Sequence, residues 1–150
     1  MSKIAVIGVG SPFADDHIAY DVIQLLRQEP SVSASLQYYD RPGWYLIEYM
    51  QEFDIVHLVD AIISDKPIGT LHRYDDIDYF KTQETLLSSH SFGLAETLLL
   101  GQSLNQLPAQ LVIHGIEIAV DNSDKKRLKE SCVALVGKIK QEIKRPVDLF

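Results

Sequence analysis

From Lys3 to Val9 the chain is a nearly continuous apolar run of Ile, Val and Ala, closed off by Gly8 and Gly10. A run this short without polar alternation is the pattern of a strand covered on both faces. Such a strand needs helices above and below it, and the following sequence supplies them. From Asp16 to Arg27, Ile18, Ala19, Val22, Ile23 and Leu26 recur at helical spacing, with Asp21, Gln24 and Arg27 on the other face. Asp15 or Ser11 offers the cap. Ser33 to Tyr39 reads as a second strand, followed by the turn Arg41-Pro42-Gly43 and a short helix through Trp44, Leu46, Ile47 and Met50. Asp54 to Val59 is a third apolar strand ending in Asp60, and Thr70 to Tyr74 a short one, an antiparallel edge or an excursion. Asp75 to Ser89 is polar and aperiodic, long enough for a functional connection. Leu94, Ala95, Leu98 and Leu99 mark a helix starting at His90, and Gln110 to Ala119 another strand. The last helix starts near Asn122 or Ser123, aligns Leu128, Cys132, Leu135, Ile139 and Ile143, and is stopped by Pro146. Strands alternating with helices predict an α/β three-layer sandwich, a mostly parallel twisted sheet flanked by helices on both faces.

Composition narrows what such a domain does. At 150 residues and 46% apolar, one domain spanning residues 1–150 is expected. The 14 basic and 21 acidic residues leave a net charge of −7, which repels phosphate backbones and makes nucleic acid an unsuitable partner. Cys132 is the only cysteine, so an internal disulfide and a cysteine zinc cluster are excluded and a reducing compartment fits. The first strand follows Met1-Ser2 without a signal pattern, and no apolar run is long enough to span a bilayer. A cytoplasmic protein without membrane insertion is expected.

Three residues far apart in sequence fall where an open parallel sheet gathers its ligands, the rim at the carboxyl ends of the strands. They are Asp16 after the first loop, Asp60 at the end of the third strand and His90 at a helix start. Taken singly, an Asp there is a cap and a His between serines a solvated loop residue. Taken together, two carboxylates about 4 Å apart would repel by roughly 4 kcal/mol at an intermediate dielectric, which calls for a proton, a base or a cation between them. Two carboxylates and an imidazole suit nickel, zinc, manganese or iron. His17, beside Asp16, is within reach of the same site. His57 and His114 lie in apolar strands and read as core side chains rather than ligands, and His72 and Arg73 as strand-surface residues. Trp44, Tyr38, Tyr39, Tyr45 and Tyr49 cluster around the second strand and helix, where core packing is the first explanation and partner contact the second.

The string Gly8-Val9-Gly10-Ser11-Pro12-Phe13-Ala14-Asp15-Asp16 resembles the opening of the hydrogenase maturation proteases, a glycine turn, a short apolar stretch and an acidic pair. Leu58-Val59-Asp60-Ala61 resembles that family's strand ending in its second acidic ligand. The segment Ser88-Ser89-His90-Ser91-Phe92-Gly93-Leu94-Ala95-Glu96 is similar to its Ser-His-x-x-Gly-Leu helix start. The resemblance spans almost the whole chain and implies that Asp16, Asp60 and His90 are the catalytic and metal-contacting residues. It implies an endopeptidase, aspartic or metal-assisted, that removes the C-terminal extension of a nickel-iron hydrogenase large-subunit precursor after nickel insertion. The nickel is then carried by the substrate, and that precursor is the partner. Water would attack, with Asp16 or Asp60 as base. Gly43 lies where the family has a glycine turn near the cleft and, with His17, is a candidate substrate-cleft residue. The turn lacks the family's Asn, the loop is one residue shorter, and His17-Ile18-Ala19 replaces a Gly-x-Gly.

Two other readings compete. A receiver-like phosphoacceptor domain would also place acidic residues after strand one and at the end of strand three, but it needs a Lys near its last strand, where this chain has Ile113-His114-Gly115-Ile116-Glu117. A non-catalytic scaffold of the same fold would bind a hydrogenase subunit without cutting it. A dinucleotide fingerprint fails because Phe13 stands where the third glycine should allow close helix packing.

Overall fold

The computed structural model describes residues 2–10, 17–80, 82, 94–119 and 124–148. Along them run β1 (Ile4–Gly10), α1 (Ile18–Arg27), β2 (Ser35–Asp40), α2 (Tyr45–Met50), β3 (Ile55–Ile62), β4 (Leu71–Tyr74), α3 (Ile77–Phe80), α4 (Leu94–Ser103), β5 (Gln110–Glu117) and α5 (Lys125–Asp148). The sheet has the order β2-β1-β3-β5-β4. Its first four strands are parallel, and β4 closes the edge antiparallel to β5.

Side chains alternate across each strand, and the two sets enter different cores. Val6, Val59, Ala61 and Ile116 pack under α1 and α5 with Val22, Leu26, Leu135 and Ile139. Ala5, Ile7, Leu58 and Ile113 pack on the other face with Leu46 and Met50 of α2 and Leu94 and Leu98 of α4. The central strand β3 is buried at every position, which is why its sequence is apolar without alternation. The expected three layers are therefore present.

Most expected boundaries fall within two residues of the observed ones, and two of the differences have a clear physical reason. Strand β3 does not end at Asp60 but continues to Ile62, because β5 runs beside it through the pair Ile62 and Glu117. Helix α5 continues past Pro146 to Asp148, since in a last turn a proline forfeits one ladder bond without interrupting a helix on both sides. The stretch from Asp75 contains the short helix α3, whose Phe80 is fully buried. The expected caps Ser11 and Asp15 lie outside the described residues.

Gly8 and Gly10 serve packing. A Cβ on Gly8 would stand 2.9 Å from Ile23 Cγ1 and 3.0 Å from the Ala19 carbonyl oxygen, and one on Gly10 2.6 Å from both Asp40 Oδ1 and the Tyr38 hydroxyl. The glycines let α1 and β2 close on β1. Gly8→Ala is expected to destabilise the protein by about 1–3 kcal/mol, read as a lower urea midpoint with an unchanged denaturant slope.

His57 and His114, as expected, are buried, and they bond to each other, His57 Nδ1 to His114 Nε2 at 3.0 Å. Burial pushes both rings below the ordinary histidine range, His114 to about 3, helped by the charge that His57 would carry. With folded-state pKa values below the unfolded value of about 6.5, the unfolded chain takes up protons first as pH falls. The stability that neutral rings allow is thus complete above about pH 6.5 and is lost on acidification toward pH 3. In metal-free buffer, His114→Gln should flatten the decline of the urea midpoint between pH 7 and 5 relative to wild type.

Candidate functional site

In a parallel sheet crossed by helices, each helix that follows a strand starts at the rim where that strand ends. Strand β1 ends at Gly10 and α1 begins at Ile18, and α4 descends from Leu94 to feed the bottom of β5 at Gln110, level with Ile55. Helices α1 and α4, which follow Asp16 and His90 in sequence, thus both start at the rim where β1 and β3 end. Both residues lie outside the described residues. Asp60 is described: it is fully buried, two residues from the end of β3, and shares the strand face of Leu58 and Ile62 toward α2 and α4.

Across the sheet, Asp60 pairs in register with Gly115 and Gly115 with His72. The glycine leaves the strip between the two side chains without a Cβ. His72 is not a strand-surface residue. Its Nε2–H donates to Glu117 Oε1 at 2.9 Å, and the pair is nearly sealed from solvent. Ser64 donates its backbone N–H to Glu117 Oε2 and its hydroxyl to Oε1. Glu117 ends β5 on the face that holds Asp60, so a saturated carboxylate network stands beside the acidic position. The sequence carries its signal, a Glu closing the apolar strand from Leu111, but the partners at Ser64 and His72 are visible only in the fold.

The aromatic cluster divides. Tyr39 stacks on Tyr49 with ring centroids 4.1 Å apart, whereas Trp44 and Tyr45 are 71% and 67% exposed, contrary to a core role. They are exposed because α2 is a single short helix whose buried stripe is already filled by Leu46, Ile47 and Met50. Gly43 has a positive φ of 60°, the left-handed conformation that suits glycine and turns β2 into α2. It and the two exposed rings lie at the Asp60 rim and in the same helical layer. His17 is exposed and caps α1 by position, without a side-chain cap bond, in the opposite layer.

A family model described as hydrogenase maturation protease matches residues 42–146. The chain belongs to the hydrogenase maturation protease family. The matched span contains Asp60 and His90 and begins after Asp16. Among curated relatives, the hydrogenase expression/formation protein HupD of Thiocapsa roseopersicina is 26% identical over 119 residues, covering 77% of this chain and 54% of that protein. HoxM of Cupriavidus necator is 29% identical over 119 residues, covering 76% of this chain and 58% of that protein. The chain spans a little over half the length of these relatives. Among solved structures, an endopeptidase from Escherichia coli superposes with a TM-score of 0.74 at 20% identity, covering 96% of this chain and 93% of that one. The maturation protease HycI of Thermococcus kodakarensis KOD1 superposes at 0.66 and 19% identity, covering 95% and 93%. These likenesses carry the fold.

The fold of this family member also separates it from a receiver domain. Receivers use a parallel sheet ordered 2-1-3-4-5, whereas this edge strand is antiparallel and the order ends 5-4. Among the described residues, no helix is long and apolar enough to cross a membrane.

Glu117→Ala would leave the Ser64 and His72 donors without their acceptor in a buried place. A loss of about 2–4 kcal/mol is expected, with Glu117→Gln losing less because it keeps one acceptor oxygen. Urea unfolding of the two variants checks the order.

Proposed function

We propose that this protein is an endopeptidase of the cytoplasm that removes the C-terminal extension of a nickel-iron hydrogenase large-subunit precursor once nickel has been inserted. The reading rests on family membership, and the observation that carries it in the fold is Asp60, a carboxylate buried in an apolar strand near the rim where α1 and α4 begin. A buried carboxylate is costly to keep unless a donor or a cation balances it. Oxygen donors and one imidazole suit nickel without a thiolate in the set.

In this reading nickel is part of the substrate. Asp16, Asp60 and His90 engage the metal already seated in the precursor, so that a precursor without nickel is not held in register. The chemistry is hydrolysis: water adds to the scissile carbonyl, the carbon–nitrogen bond breaks, and the mature C-terminus leaves as a carboxylate and the extension as an amine. Asp16 or Asp60 accepts the proton of the attacking water. Holding the scissile bond beside the engaged metal contributes by orientation. Gly43, Trp44 and Tyr45 line the approach on the Asp60 side, and exposed aromatic rings at a rim suit contact with a folded partner. His17 approaches from the α1 side.

The test is the intact mass of the hydrogenase large subunits in cells lacking this protein. Restoring the wild type should remove a C-terminal extension from one subunit, and Asp60→Asn or His90→Ala should leave it in place, with cleavage at least about a hundredfold slower. If these variants restored full trimming, the assigned chemistry would be wrong, and if every subunit is trimmed in the deleted strain with sister proteases removed, so is the substrate. Trp44→Ala should weaken precursor binding by about 1–2 kcal/mol with an unchanged urea midpoint, read by titration of purified precursor.

A further inference from the structure

We propose that His57, His114 and Glu142 form a divalent transition-metal site of the zinc type, joining β3, β5 and α5 on the sheet face opposite Asp60. The three come from separate elements, and one donor atom from each lies within 4.8 Å of the others. The imidazoles are stacked nearly parallel, 13° apart, on neighbouring strands. The sequence alone reads both histidines as core. What changes the reading is Glu142, which the long helix α5 brings over them from 28 residues beyond His114.

Ligand chemistry fits first. A metal takes the neutral imidazole lone pair and an ionised carboxylate. Both rings are held neutral by burial. Burial works to raise Glu142, but the hydrogen bond and the charge of Arg73 bring it below its ordinary value.

Geometry fits next. Zinc–nitrogen bonds of about 2.0–2.1 Å at a tetrahedral angle place two ligand nitrogens about 3.3–3.4 Å apart. The observed 3.0 Å between His57 Nδ1 and His114 Nε2 opens to that by small ring movements, exchanging one N–H···N bond for two metal bonds. Glu142 reaches in from a side chain that is 18% exposed.

Access comes from a cleft of about 320 Å³ at the lower edge of the sheet, lined in part by His57, Gln110, Arg73, Asp75 and Glu142. It leaves room for water as the fourth ligand, the pattern of three protein ligands and an open position. Arg73 donates to both oxygens of Glu142 and to Asp75. It orients the carboxylate as outer partners of metal ligands do. Its positive charge opposes the cation and Asp75 offsets it. Imidazole and carboxylate without thiolate or a ring of oxygens favour Zn²⁺ or Ni²⁺ over Mg²⁺ or Ca²⁺.

The deciding experiment is a Zn²⁺ titration of the full chain carrying Asp60→Asn and His90→Ala, which removes two of the three ligands of the rim. It is followed by long-range nitrogen–proton NMR of the imidazoles and by equilibrium dialysis. One equivalent of Zn²⁺ should bind, shift the ring nitrogens of His57 and His114 together and raise the thermal midpoint by several degrees. Glu142→Gln, at a partly exposed helix position, should keep the fold and weaken Zn²⁺ binding at least tenfold. The assignment is overturned if Zn²⁺ leaves both rings unshifted, or if affinity in Glu142→Gln equals that of the parent. His114→Gln should abolish the shift of His57, and unchanged binding in that folded variant would also overturn it.

Discussion

The eight residues of β3 lie between two helical layers with neither face open to water, so each polar side chain on this strand must be satisfied inside the protein. Alternation sends His57 toward α5 and Asp60 toward α2 and α4. The surrounding structure answers each demand separately. His57 finds His114 one strand over, and Asp60 has glycine as its neighbour on β5. A central strand with two polar residues on opposite faces is expensive, and both lie where chemistry is available: the carboxylate toward the upper rim, the imidazole at the lower cleft.

The upper rim owes its form to topology more than to any one residue. Parallel strands require crossovers, and crossovers deliver loops to one edge of the sheet. Strands β1, β2, β3 and β5 all end there, a convergence set by the strand directions whatever the loop sequences. This convergence explains why the glycines of β1 belong to the scaffold. Gly8 admits α1 against the sheet and Gly10 admits Asp40 and Tyr38.

Legibility in the sequence followed the range of the interactions. The strands and the amphipathic helices were readable because their signals are local: unbroken apolar runs for β1 and β3, and a stripe at helical spacing for α1 and α5. Asp60 stood out as a carboxylate in such a run, and three separated motifs indicated the family. Asp16 and His90 rest on those motifs alone. What stayed hidden depends on partners distant in the chain. His72 reads as surface because its partner Glu117 arrives 45 residues later, and Arg73, which is indeed exposed and pairs locally with Asp75, gives no sign of Glu142, 69 residues on. Trp44 and Tyr45 read as core because aromatic residues usually are. Their exposure follows from the small buried stripe of α2, a question of packing against α4 that no local pattern contains.

The four residues of β4 show how much an edge strand can organise. Running antiparallel at the margin of the sheet, β4 sends His72 to one face and Arg73 to the other. His72 joins the network of Glu117 and Ser64 near the Asp60 rim, and Arg73 ties Glu142 of α5 to the edge. An unpaired edge invites association with other chains, and a short strand fastened by a carboxylate on each face is a poor template for it. The same fastening fixes Glu117 on the layer of the candidate active site and Glu142 over the histidine pair. Because His72 and Arg73 tie Glu117 and Glu142 to one short strand, displacement of β4 would loosen a carboxylate contact on each face of the sheet.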